Sequence, residues 1–131
     1  MACSGQKYGI LGRALMLNAN HEGLFGSHDL IRIKVDKSKI HPGYLLAFLN
    51  DPIIGRPYII RNAYGTSIPH LDPSDIKSVK VPRMDSDIEN AIADLMDESV
   101  RLSAEADRLE NEATGLAQEQ INLAIGRVAE G

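Results

Sequence analysis

The sequence predicts an α+β protein: a small mixed α/β head over residues 1–84, followed by one long coiled-coil-forming helix over residues 85–131. Three observations predict it. All six Pro, all four His and every aromatic residue fall before residue 84. Beyond that point leucine recurs every seven residues. Within the head, Leu30-Ile31-Arg32-Ile33-Lys34-Val35 alternates apolar and basic side chains, the period of a half-solvated strand.

The head's elements follow in order. Ser4 to Arg13 is a glycine-rich polar loop. Arg13-Ala14-Leu15-Met16-Leu17 reads as a strand, and residues 30–35 as a second. Pro42 to Asn50 reads as a helix with Pro in its first turn. Asp51-Pro52 is another cap-plus-Pro pair and opens a helical stretch towards Asn62. Gly65 permits a turn, and Asp72-Pro73-Ser74-Asp75 reads as a single helical turn. Lys77 to Val81 reads as a last strand, stopped by Pro82.

The long helix has its own start signal. Ser86 and Glu89 have capping-box spacing. Ile88, Leu95, Leu102, Leu109, Leu116 and Leu123 then occupy position d of a heptad. Ile92, Ser99, Ala106, Ala113 and Gln120 occupy position a, where small residues admit a close neighbour. About 40 helical residues would extend roughly 60 Å, whereas a head of this size is nearer 30 Å across. The seam therefore calls for a helix from a second copy or from another protein. Glu98, Glu105, Glu112 and Glu119 form an acidic row at g, which favours an antiparallel or heterologous partner. Arg101 and Arg108 are placed to pair with these acids along the helix.

The charge divides at the same boundary. The 131-residue chain carries a net −4. Residues 1–83 hold 11 basic against 6 acidic side chains, a balance of +5, and the remainder holds 3 against 12, a balance of −9. The overall acidity therefore does not exclude nucleic acid as a partner of the head. No apolar run approaches the roughly 20 residues that span a bilayer, and residues 1–7 lead into no secretory signal, so a cytoplasmic location away from membranes is expected. The single cysteine, Cys3, has no disulfide partner within the chain.

Catalysis finds no residues to carry it. The early glycines lack the spacing of a phosphate-binding loop, and no metal-binding His/Cys pattern occurs. Neither a metal nor a cofactor is expected. The head offers two polar clusters instead. One is the loop with Gln6, Lys7, Tyr8 and Arg13. The other spans Arg56, Arg61, Asn62, Tyr64, Thr66, Ser67 and His70. These are side chains that contact phosphates and base edges. The residues expected to touch DNA are Gln6, Lys7, Tyr8, Arg13, Arg61, Tyr64, Thr66 and Ser67.

The order of these segments resembles the DNA specificity subunit of type I restriction–modification systems. The resemblance covers about residues 4–125. It rests on the Ser-Gly loop, the Ile-Arg-Ile segment, Gly43-Tyr44-Leu45-Leu46-Ala47-Phe48-Leu49-Asn50-Asp51-Pro52, the turn Tyr64 to Leu71, the step Asp72 to Pro82, and the heptad helix. The chain looks like the C-terminal part of one target-recognition domain plus its long helix. It departs from the family pattern at Pro82-Arg83-Met84-Asp85-Ser86, which keeps only the first Pro of a Pro-rich turn. A longer stretch before the glycine-rich loop, and a second recognition domain, are also missing, so a fragment or half-subunit is expected.

The resemblance implies a non-catalytic protein that recognises double-stranded DNA. Its helix would pair antiparallel with another, in a homodimer or within a subunit, and dock methylation and restriction subunits. The pairing residues would be Ile88, Ile92, Leu95, Leu102, Ala106, Leu109, Ala113, Leu116 and Leu123. Two other readings fit the residues: a coiled-coil adaptor whose small head binds protein, and the recognition part of a fused restriction–methylation enzyme.

Overall fold

The computed structural model describes residues 1–65 and 67–129. Its α-helices are α1 (Pro42–Asn50), α2 (Gly55–Ile60), α3 (Pro73–Lys77) and α4 (Ser86–Ala129), preceded by a 3-10 turn at Ala19–His21. The chain forms two compact units, Met1–Glu98 and Ser99–Gly131. No described helix is long and apolar enough to cross a membrane.

The protein is mostly helical, with one long helix. Among the described residues its β structure amounts to three isolated antiparallel bridges: Ala2 with Leu30, Ser4 with His70, and Tyr64 with His70. The strands expected at 13–17, 30–35 and 77–81 do not form, and each has a local reason. Residues 1–5 act as a hub that divides its backbone groups among three neighbours. Ala2 N–H donates to the Arg13 carbonyl at 2.8 Å, Cys3 N–H to Asp29 at 2.9 Å, and Leu71 N–H to Cys3 at 2.8 Å. A hub shared this way supports no ladder longer than one pair.

Beyond the hub, the first expected strand meets a helix end. The Asn50 side chain takes both backbone groups of Ala14, at 2.9 Å each. The second keeps its alternation without a partner: Ile31 is buried, Ile33 and Val35 are half-buried, and Arg32 and Lys34 are exposed. The third is lost to α3. Ser78 N–H donates to Ser74 at 3.1 Å and Val79 N–H to Ile76 at 3.2 Å, so the chain is still turning where a strand was expected.

The helices begin where the residues direct them. His41 Nδ1 accepts from the Gly43 N–H at 3.1 Å, capping α1 ahead of Pro42. The Asp51 carboxylate accepts from Ile53 and Gly55 N–H groups at 3.1 and 3.3 Å, and from Ile54 between them. It thereby shapes the turn into α2, which starts at Gly55 instead of directly after Pro52. These bonds, that from Ile54 first, hold the Asp51 carboxyl below the usual range. Gly55 is obligatory, because a β-carbon there would collide with the Phe48 carbonyl oxygen as α2 crosses α1. In α3, the Asp72 N–H donates to Asp75 Oδ2 at 2.9 Å, closing the expected single turn.

Tyr44 is buried, and the main core cluster is aliphatic apart from Cys3. Cys3, Leu11, Ile31, Leu49, Ile59, Ile60 and Leu71 form it. The first turns of α4 belong to the same unit. Ala93 is wholly buried, and a β-carbon on Gly43 would stand 2.7 Å from the Ala93 carbonyl oxygen. The absence of a side chain at Gly43 is what lets the start of α1 approach α4.

The expected Ser86–Glu89 capping box does not form. Ser86 is already the first helical residue, one position too far in to cap. Glu89, buried at 6% exposure, accepts from the Arg83 guanidinium and from the Met84 N–H at 2.9 Å. In the second unit, Arg108 bridges Glu105 and Glu112 at 2.8 Å each, the intrahelical pairing that the spacing predicts.

Candidate nucleic-acid interface

The glycine-rich loop is held at both ends. Gly5 and Gly12 take left-handed φ values of 130° and 73°, which side-chain-bearing residues rarely adopt. Gly9 N–H donates to the Gln6 carbonyl at 2.9 Å, closing a turn. Leu11 is completely buried and anchors the loop's exit. Gln6, Lys7 and Tyr8 are left exposed on the outside of this turn.

Arg56 locks the loop onto α2. Its guanidinium donates to the Leu11 carbonyl through Nε at 3.2 Å and Nη2 at 3.0 Å, and also to the Gly9 carbonyl. Arg61, just past the end of the same helix, lies with its guanidinium carbon 3.8 Å from the centre of the Tyr58 ring. That stacking fixes the planar group by its face and leaves its in-plane N–H donors available.

The two polar clusters meet here. Lys7, Tyr8, Pro52, Arg56, Pro57, Ile60 and Arg61 line an open groove of about 440 Å³. No carboxylate is among them; the nearby Asp51 accepts from backbone N–H groups, which stabilise its negative charge without neutralising it. Among the described residues no acid forms an ion pair with Lys7 or Arg61. The groove is therefore a cationic rim around an apolar floor.

The other expected contact residues lie outside this lining. Gln6 neighbours it in sequence, and Arg13 is exposed where the loop exits. Tyr64 exchanges backbone hydrogen bonds with His70 at 3.0 and 2.8 Å, and its ring stands 6.1 Å from the His70 ring. Ser67 is exposed in the same turn. That turn reaches the base of the loop through Gly5 N–H, which donates to Pro69 at 3.3 Å. Thr66 lies outside the described residues. The sequence reading missed Tyr58 and the supporting role of Arg56. The spacing of Tyr58 and Arg61, three residues apart at a helix end, was the available signal.

Cys3 is buried, with its thiol 3.7 Å from the His28 carbonyl oxygen. No group of three or more His, Cys, Asp or Glu residues among those described is placed to hold a metal.

The heptad positions are exposed as well. In the first unit, Ile88 and Leu95 face solvent, Leu95 at 75% exposure, while Ile92 is half-buried beside Ala93. In the second unit, Leu102, Leu109, Leu116 and Leu123 are exposed, as are Ala106 and Ala113. A repeated row of exposed leucines is an uncovered apolar surface of the kind that helix pairing buries.

No protein-family description, curated protein or solved structure matches the chain.

Proposed function

We propose that this chain is a non-catalytic DNA-recognition module of the kind used by type I restriction–modification specificity subunits. The basic head contacts double-stranded DNA. The long helix pairs antiparallel with another helix and docks methylation subunits. One observation carries the reading: Lys7 and Tyr8 line one groove, with no acid in its lining, together with Arg61, which is distant from them in sequence. Lys7 holds phosphate as a point charge, and Arg61 is suited to phosphate or to a guanine edge. A gel-shift series with two-part duplexes tests this. Affinity should fall steeply as salt rises, because phosphate contacts release counterions. Salt-independent binding, or none, overturns it.

A coiled-coil adaptor is the rival reading. It is favoured by the exposed Leu15, Leu17, Leu24 and Phe25 of the head, which a protein partner could cover. Neutralising Lys7 and Arg13 separates the two, since an adaptor would tolerate it and a DNA reader would not.

A further inference from the structure

We infer that the Lys7–Arg61 groove holds a single unpaired nucleotide, its phosphate between the two cations and its base against the Tyr8 ring. This deepens the DNA reading and rests on it.

Four features point to this ligand. First, the groove of about 440 Å³ falls within the roughly 300–1,000 Å³ of small-ligand clefts, and is larger than a phosphate contact alone requires. Second, Pro52, Pro57 and Ile60 give it an apolar floor, which suits the face of a base and not a phosphate. Third, the Tyr8 ring is 95% exposed on a loop held at Leu11 and Gly9 by Arg56. An aromatic side chain left unpacked on an anchored loop has its face open to stack on a base. Fourth, the charges are arranged for an anion, with Arg61 stacked on Tyr58 and Lys7 on the loop.

A base inside a duplex has both faces occupied by its neighbours, so away from the duplex ends it is an unpaired nucleotide that presents a face to Tyr8. The same chemistry describes a nucleotide within a DNA strand and a free nucleoside monophosphate.

The test uses the full chain in fluorescence anisotropy. Two labelled duplexes differ by one extra unpaired adenosine, and adenosine monophosphate serves as a separate ligand. The bulged duplex should bind at least about fivefold more tightly, the lower end of what one stacked base is worth. Tyr8→Ala should erase that preference, so that the bulged and paired duplexes bind alike, whatever the ring contributes to both; so exposed a side chain (95%) makes little difference to folding. Lys7→Gln should weaken both duplexes. Equal binding of the two duplexes by the unaltered chain, or a preference that survives Tyr8→Ala, overturns the inference and leaves duplex recognition standing. Tyr8-dependent binding of the free nucleotide with no binding of DNA supports the groove's ligand and removes the duplex reading. Binding of neither overturns both.

Discussion

Arg83 grips both carboxylate oxygens of Glu89, with Nε to Oε1 at 2.8 Å and Nη2 to Oε2 at 2.7 Å. The same guanidinium donates to the Lys39 carbonyl at 2.8 Å, and the Tyr44 hydroxyl donates to the Pro82 carbonyl at 2.7 Å. The passage from head to helix is thus tied to the segment before α1 and to α1 itself.

This pair makes stability acid-sensitive. The Arg83 guanidinium, with the Met84 N–H, pulls the Glu89 carboxyl down to about 2 from an ordinary 4.5. A depressed carboxylate stabilises the fold fully above its unfolded value and loses that contribution as pH falls through the folded value. Thermal melts should therefore show stability falling between about pH 4.5 and pH 2. Glu89→Gln should lower Tm at neutral pH and flatten that acid limb; an acid limb of unchanged slope would contradict the assignment.

Two glycine substitutions should have opposite signs. Gly55→Ala forces a methyl group into the Phe48 carbonyl, and overpacking of this kind typically costs about 1–3 kcal/mol. Gly115 meets nothing within 4 Å, so Gly115→Ala should stabilise the helix by up to about 1 kcal/mol. Denaturant titration of both variants measures the contrast.

Leu102→Lys should abolish self-association through the long helix. Leu102 is half-exposed in the heptad row, and a buried ammonium in a pairing seam has no partner to offset its desolvation. Sedimentation equilibrium that gives the same mass for variant and unaltered chain would refute the seam.

Lys7→Gln and Arg61→Gln should each flatten the dependence of DNA affinity on salt. With one phosphate shared between the two cations, each substitution should lower the slope of log K against log salt, by up to about 0.9. Nitrocellulose filter binding over a salt series reads it directly. Two unchanged slopes would remove these residues from the phosphate contacts.

Legibility in the sequence followed the range of the forces involved. The His41 cap ahead of helix α1 was not read, but the helix itself could be read from Pro42 in its first turn, because backbone restriction acts within a few residues. The heptad row could be read for the same reason. The alternation at 30–35 survives as alternating burial, but its pairing depends on the path of residues 1–5, which no local pattern encodes. Ser86 looked like a cap, but the helix already includes it, and the nearby Arg83 takes Glu89 in a bidentate pair that helix propensity and cap spacing do not encode. In the groove, Lys7, Tyr8 and Arg61 were each legible as polar contact residues. Their meeting was not, since it depends on Arg56 reaching back to the Gly9 and Leu11 carbonyls.

That last connection makes the two walls of the groove a single mechanical element. Whatever orders Lys7 and Tyr8 also restrains Arg56, and through α2 the position of Arg61. A ligand that engages one wall should thereby lower the entropic cost of engaging the other, and such a linkage would be reciprocal. Affinity in this groove should then respond to paired changes as a product of coupled parts rather than as independent contributions. A double-mutant cycle across Tyr8 and Arg61 should close only with a coupling energy, even if the two side chains never touch.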